Sequence, residues 1–330
     1  MEKKKKIVLA AGCSGGHITP ALTIAAQYPD CDAIFFAKDN RLDKDILQAA
    51  TVHKRIFLSL INVPRKNLAQ FPKFFFQFGV AFITSLNTLY RHKPIKIIST
   101  GSYIALPVCM AGWLLRIPIE LYELNVEPGQ AIRWLSKIAT TIYVCFVATQ
   151  KVLPNAIVTP YPVRFQAQDR SIKPNLHTTY NIAPTAKTLL VLGGSQGSEQ
   201  LNRMIQEILD DSTLETRWHI IHQTGNDRSV DWTQWYKERG IPAITFSYTS
   251  NIADYYVLAD LIISRAGAGT LAEIAFFGKK CIIIPLNAGT TQHQVRNALA
   301  HQADKPEQFT VLEQQSATSA IKQELKSVSK

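Results

Sequence analysis

Ile7-Val8-Leu9-Ala10-Ala11-Gly12-Cys13-Ser14-Gly15-Gly16-His17-Ile18-Thr19-Pro20-Ala21-Leu22-Thr23-Ile24-Ala25-Ala26 runs from an apolar segment through a glycine-rich turn into a second apolar segment. Its first five residues form an unbroken apolar run, the mark of a strand buried on both faces of a parallel sheet. Gly12 to His17 turn the chain. Pro20 to Ala26 then read as a helix with proline near its first turn. The same order returns at Thr188-Leu189-Leu190-Val191-Leu192, at Gly193 to Ser198, and in a helix over 201–209.

Outward from these two openings, short apolar strands are expected at 33–37, 95–99, 117–122 and 141–147. In the second half they are expected at 219–222, 243–246, 261–264 and 280–285, with helical stretches between. Such alternation predicts α/β folding around parallel, doubly wound sheets. Pro154, Pro160, Pro162, Pro174 and Pro184 interrupt the rhythm, so a linker is placed near Pro160. With 330 residues, two domains are expected, 1–160 and 161–330. The last helix, about 308–330, is a candidate to pack back on the N-terminal domain.

A content of 46% hydrophobic and 18% charged residues excludes a disordered chain. The five cysteines are odd in number and lie far apart, which suits a reducing compartment better than a disulfide framework. The five apolar residues before Gly12 are too few for a signal peptide core. Residues 1–160 hold 19 Lys and Arg against 9 Asp and Glu, whereas 161–330 hold 17 against 16. Residues 46–119 contain no acid at all. A one-sided basic field points to an anionic partner: nucleic acid, an anionic membrane or a phosphorylated substrate.

Three Gly-rich loops follow strands and open helices: Gly12 to His17, Gly193 to Ser198, and Ser264 to Thr270. Glycine lets backbone approach a ligand, and the free N–H groups and dipole of a helix start attract phosphate. One such loop is equally well a tight β–α turn; three in one chain favour a phosphate-bearing ligand. Neither G-x-x-x-x-G-K-[ST] nor a clean G-x-G-x-x-G in the first unit is present, which weakens kinase and dehydrogenase readings.

Taken in order, these motifs resemble the MurG family, the bacterial UDP-GlcNAc transferases that make lipid II. The family's opening motif, close to GGTGGH before a Pro-Ala-Leu helix, reads Gly12-Cys13-Ser14-Gly15-Gly16-His17 with Pro20-Ala21-Leu22. Its GGY…P…A is similar to Thr100-Gly101-Ser102-Tyr103 with Pro107 and Ala111. Its HEQN…PG is similar to Tyr122-Glu123-Leu124-Asn125 with Pro128-Gly129. NPVR reads Tyr161-Pro162-Val163-Arg164, and GGSQGA…LN reads Gly193 to Ser198 with Leu201-Asn202. SRAGA-x-T-x-x-E spans Ser264 to Glu273, and HQ…NA reads His293-Gln294 with Asn297-Ala298. Cys13 replaces a family glycine, and Tyr122 and Leu124 replace His and Gln. Acceptor details therefore carry over less fully than donor details.

The resemblance implies two Rossmann-like doubly wound domains facing a cleft (the GT-B glycosyltransferase architecture). It implies inverting, metal-independent transfer of GlcNAc from UDP-GlcNAc to the C4 hydroxyl of MurNAc in lipid I, forming lipid II for peptidoglycan synthesis. The donor would lie mainly on the C-terminal domain. Glu273 would hold the ribose hydroxyls; Ser195 and the backbone of Ala268, Gly269 and Thr270 would meet the diphosphate. Arg164 would contact phosphate from the linker, Asn125 and Gln294 the sugar, and Thr249 the uracil. Ser14, Gly15 and Gly16 of the first loop would bind substrate. Plainer roles stay open: Glu273 complementing a helix dipole, Arg164 as a solvated side chain, Asn125 as a turn former. His17 is the first candidate for the base that deprotonates the acceptor, since imidazole titrates near working pH. Hydrogen bonding to the acceptor diphosphate and helix capping are its alternatives, and Glu123 is the second candidate base.

Phe74 to Tyr90 carries no charge but is shorter than the roughly 20 residues of a spanning helix. Leu68, Phe71, Phe74, Phe75, Phe78 and Phe82 recur at helical spacing, flanked by Arg65, Lys66, Lys73, Arg91 and Lys93, and Leu68, Phe71, Phe75, Phe78 and Phe82 are the expected docking residues. This pattern suits docking on an anionic membrane, with a core-facing helix as the alternative. Trp113 and Lys137 are candidates for the same surface. The expected setting is peripheral, on the cytoplasmic face of the bacterial inner membrane, with UDP-GlcNAc and lipid I as substrates. No cofactor and no metal are expected: Asp30-Cys31-Asp32 lies away from the Gly loops, and no histidine pair has ligand spacing. No nucleic-acid motif accompanies the basic half. Competing readings are a related glycosyltransferase with another lipid or small-molecule acceptor, a UDP-GlcNAc 2-epimerase, and a non-catalytic UDP-sugar binder. Oligomeric state is not readable from the sequence.

Overall fold

The computed structural model describes residues 4–64, 68–171, 173, 175–183, 185–194, 197–210, 218–227, 229–249, 251–286 and 292–328. They form two compact units, Met1–Arg164 and Phe165–Lys330.

The first unit runs β1 (Lys5–Ala10), α1 (Gly15–Ala25), β2 (Cys31–Lys38), α2 (Arg41–Gln48) and β3 (Lys54–Leu58). It continues α3 (Phe71–His92), β4 (Lys96–Ser99), α4 (Ala105–Leu114), β5 (Ile119–Glu123), α5 (Gln130–Leu135), β6 (Thr141–Val144) and β7 (Ile157–Val158). Its strands pair in parallel in the order β3-β2-β1-β4-β5-β6-β7. Successive side chains of each strand enter opposite layers. Val8, Ala10, Ile34, Phe36 and Ile97 pack beneath α3, α4 and α5, while Ile7, Leu9, Phe35, Ala37 and Ile98 pack beneath α1 and α2. This is the physical content of the unbroken apolar runs: both faces are covered.

The second unit begins with α6 (Leu176–Thr179), β8 (Lys187–Leu192), α7 (Glu199–Leu209), β9 (Trp218–Gln223), α8 (Trp232–Glu238) and β10 (Ala243–Phe246). There follow α9 (Ile252–Leu258), β11 (Leu261–Ser264), α10 (Ala268–Phe277), β12 (Cys281–Ile283), α11 (Gln292–Asp304), β13 (Phe309–Val311) and α12 (Gln314–Val328). The parallel order is β10-β9-β8-β11-β12-β13. Ala317, Ile321 and Leu325 of α12 are buried in this unit's own core, in the layer that also holds α7 and α8.

Three local readings change. The first helix begins at Gly15, not near Pro20, so Pro20 sits inside it and removes one helical hydrogen bond. The strand expected over 141–147 ends at Val144, where its pairing to β5 and β7 ends, and Val147–Lys151 is a 3-10 turn. Strands β3, β7 and β13 were not expected; each is short and carries no long apolar run.

Candidate functional site

In each sheet the chain reverses winding direction beside its first strand, so the loops leaving β1 and β4, and those leaving β8 and β11, lie side by side. Crevices at such switch points are where doubly wound sheets bind ligands.

In the first unit the two loops are joined through His17. Its Nδ1 lies 2.8 Å from the Thr100 carbonyl oxygen, and Thr100 Oγ1 donates back to the His17 carbonyl at 2.8 Å. A carbonyl only accepts, so Nδ1 bears the hydrogen, and in the neutral ring Nε2 holds the lone pair. Gly101, with φ +101°, lies against the ring: a Cβ there would sit 3.3 Å from His17 Cε1. Cys13 and Ser102 are both left-handed, at φ 71° and 76°, and Ser102 Oγ donates to Cys13 Sγ at 3.2 Å. Where the family carries glycine, cysteine therefore takes the strained conformation itself, at a cost of order 1 kcal/mol.

Asp43 is the residue sequence reading missed. It is fully buried, and its Oδ2 accepts from the backbone N–H groups of Cys13 and Lys38, each at 2.9 Å. It thus holds the first Gly loop to the end of β2 across thirty residues of chain. No local spacing could have announced that.

Glu123, at the end of β5, is 3% exposed. Its Oε1 accepts from Asn125 N and Nδ2 at 2.9 and 3.1 Å, and its Oε2 from Gly129 N at 2.9 Å. Burial pushes its pKa up, while these hydrogen bonds pull it down. Both oxygens thereby hold the 124–129 turn and orient Asn125. Tyr122 stacks on Tyr143 with ring centroids 4.6 Å apart, and Leu124 is buried. Neither departure from the family pattern presents a fully exposed side chain.

In the second unit, Ser195 lies outside the described residues. The rest of its loop is tied down closely. Gly197, at φ +77°, approaches Gly225 so nearly that a Cβ would meet its Cα at 2.7 Å. Buried Asn202 donates to the Thr224 carbonyl and to Asp227, both at 3.0 Å, and its Oδ1 meets His222 Nε2 at 3.1 Å. Among the described residues, Arg265, 5% exposed, donates to neutral groups alone: Ser198 Oγ, the Ile284 carbonyl, Gln314 and Gln200. Burial lowers its pKa, yet guanidinium stays charged. It is a fixed positive charge behind both Gly loops, quoted in a motif but not singled out from sequence.

Ala268, Gly269 and Thr270 form the first turn of α10, whose N-terminal N–H groups have no intrahelical acceptor. One turn on, Glu273 Oε2 accepts from Tyr256 Oη at 3.0 Å. Gln294 Oε1 accepts from Leu286 N at 3.1 Å. Thr249 Oγ1 accepts from Asn251 N at 3.0 Å, and Arg164 is exposed. Asp30-Cys31-Asp32 lies at the start of β2, the opposite end of the sheet from the Gly loops.

The aromatic stripe on α3 divides. Phe78 and Phe82 turn toward the core beside buried Phe74, Ala81, Ser85 and Leu89. Phe71 is half-buried, and the side chain of Leu68 lies outside the description. Of the four expected docking residues whose side chains are described, Phe75 alone is exposed, at 63%, and it is joined outward by Phe76, Val80 and Ile83. Three- and four-residue spacing had straddled the edge between two faces. Trp113 and Leu114 of α4 and Trp134 of α5 are exposed on neighbouring helices. Among the described residues no helix is long and apolar enough to cross a membrane.

The glycosyltransferase family 28 N-terminal domain matches residues 7–144 and the corresponding C-terminal domain residues 188–330. A UDP-N-acetylglucosamine–N-acetylmuramyl-(pentapeptide) pyrophosphoryl-undecaprenol N-acetylglucosamine transferase of Thermotoga sp. (strain RQ2) is 33% identical over 309 residues, covering 89% of this chain and 84% of that one. The protein of the same name from Myxococcus xanthus is 28% identical over 302 residues, covering 89% and 77%. The crystal structure of Acinetobacter baumannii MurG superposes with a TM-score of 0.71 at 25% identity, over 99% of this chain and 91% of that one. A UDP-GlcNAc 2-epimerase from Methanocaldococcus jannaschii reaches 0.59 at 13% identity, over 98% and 92%, a likeness of fold alone.

Proposed function

The chain belongs to the MurG family of glycosyltransferases, and from that premise we propose that it transfers GlcNAc from UDP-GlcNAc to the C4 hydroxyl of MurNAc in lipid I, releasing UDP and forming lipid II. The observation that carries the mechanism is the His17–Thr100 pairing, which sets the imidazole tautomer.

With Nδ1–H given to the Thr100 carbonyl, His17 Nε2 takes the proton of the acceptor hydroxyl. The hydroxyl oxygen attacks C1 of GlcNAc as the bond from C1 to the UDP oxygen breaks, inverting that carbon. Negative charge then grows on the diphosphate. The N–H groups of Ala268, Gly269 and Thr270, Ser195 and Arg164 meet it, and the buried charge of Arg265, bonded to Ser198, adds to the positive field of the second unit's loops. Glu273 receives the ribose hydroxyls with Tyr256 orienting its carboxylate. Asn125, held by Glu123, and Gln294 bind the sugar; Thr249 meets the uracil. Glu123 acts as a positioning residue, since hydrogen bonds within its own turn engage both its oxygens.

The enzyme works on the cytoplasmic face of the inner membrane as a peripheral protein. Phe75, Phe76, Val80 and Ile83, with Lys73 and Arg91 on the same helix, are the surface we assign to anionic lipid. The test is UDP release from UDP-GlcNAc by purified protein, with and without a lipid I analogue and with EDTA. Release should require the acceptor and survive EDTA, and His17→Ala should lower kcat by a factor of about 10² to 10⁴. Donor binding without turnover on the lipid I analogue would sink the acceptor assignment.

A further inference from the structure

At the N-terminal edge of the first sheet, far along the strands from the Gly loops, sits a cluster that sugar transfer does not use. Lys6 of β1 and Lys54 of β3 converge on His92, the last residue of α3. Lys6 Nζ is 3.2 Å from His92 Nδ1, and Lys54 Nζ is 3.3 Å from His92 Nε2. An ammonium has only hydrogens to offer, and a neutral imidazole has one lone pair. One lysine therefore donates to the ring while the other faces its N–H. The trio holds one donor too many, and protonating the ring makes the mismatch worse.

Among the described residues no carboxylate forms an ion pair with either lysine. The charged groups acting on His92 are Lys54, Lys6, His53 and Arg91, from β3, β1, the turn before β3 and α3 itself; burial and these charges hold its pKa below the usual imidazole range. Asp32 of β2, opposite Lys6 in the sheet register, lies 3.8 Å from His53, and Glu120 of β5 is taken by Lys96. Lys5 and Lys93 are exposed beside the cluster, and residues 46–119 contribute no acid to it.

We propose that Lys6, Lys54 and His92 form a binding site for a phosphate-type oxyanion, separate from the UDP-sugar site. A tetrahedral dianion presents acceptors in several directions. It takes the lysine hydrogens that the ring cannot, and the ring N–H as well, each as a charge-assisted bond. Free phosphate, a soluble phosphomonoester and the phosphate of a lipid headgroup share this chemistry.

The experiment follows the His92 imidazole by NMR in the full chain, with its resonance assigned from His92→Gln. Inorganic phosphate should raise the His92 pKa by about one unit and saturate, because proton and anion binding are then linked about tenfold. Chloride at equal ionic strength should not. The response should vanish in the Lys6→Gln/Lys54→Gln variant, whose other histidine resonances report that it is folded. A response confined to vesicles containing phosphatidic acid, absent with those of phosphatidylcholine alone and with inorganic phosphate, would name a lipid headgroup as the source. No response to either phosphate or phosphatidic acid, or a response that persists in the double variant, overturns the site.

Discussion

Replacing Gly101 by alanine tests the geometry on which the proposed base depends. Two effects separate cleanly. The first is conformational: φ of +101° is a region that side-chain-bearing residues avoid, at about 1–3 kcal/mol. For a unit of this size that is a fall in Tm of about 2–4 °C for each kcal/mol. The second is steric: the new Cβ lies 3.3 Å from His17 Cε1 and 3.5 Å from Nδ1, so the ring must give by a few tenths of an ångström. A displacement of 1 Å near reacting atoms costs about a hundredfold, so a shift this small should lower kcat by about fourfold to sixfold, with donor KM nearly unchanged. Gly240→Ala is the control. Its φ is +64° and nothing lies within 4 Å of its new Cβ, so it should lose stability without touching the chemistry. The assay is acceptor-dependent UDP release beside thermal unfolding for both variants. If Gly101→Ala melts early like Gly240→Ala yet keeps kcat within a factor of about two, His17 is not the positioned base.

Asp43→Ala should destabilise the first unit by about 1–3 kcal/mol, since two buried N–H groups lose their acceptor; an unchanged denaturation midpoint would contradict this. Glu273→Ala should raise donor KM with a smaller change in kcat, and Tyr256→Phe should do the same more weakly; equal donor KM in all three proteins would remove the ribose assignment. Phe76→Glu/Ile83→Glu should abolish flotation with anionic liposomes while the protein stays folded, and retained flotation would refute the surface drawn here. Burial holds His222 to about 3 and His301 to about 4, against 6.5 when unfolded. The unfolded chain therefore binds protons first as pH falls, so stability present above pH 6.5 is lost progressively toward pH 3–4. Tm measured from pH 7 to 5 should fall, and less steeply in His222→Gln.

Much of the architecture was legible in local pattern because the pattern has a local cause. A strand covered on both faces needs apolar residues without alternation, and β1, β8 and β11 declare themselves that way. Glycine at a strand end is likewise a local demand. Ser264 to Glu273 could therefore be set at a β–α junction from its letters alone, and the ordered motifs carried the family. β3 and β13 escaped because each is short, carries charged or polar residues, and gains its place by pairing at the edge of its sheet. The same holds at the site. Only folding brings the Thr100 carbonyl to His17 across 83 residues and so selects which imidazole nitrogen keeps the lone pair. Only folding closes Asp43 on the first Gly loop, engages Glu123 within its own turn, and leaves Arg265 charged behind the second unit's loops. On α3 the spacing of phenylalanines foretold an aromatic helix, but the contacts of its two flanks with the sheet decided which of them face outward. Periodicity ranks the residues of a helix by angle; the neighbouring layer determines where on that circle the core begins.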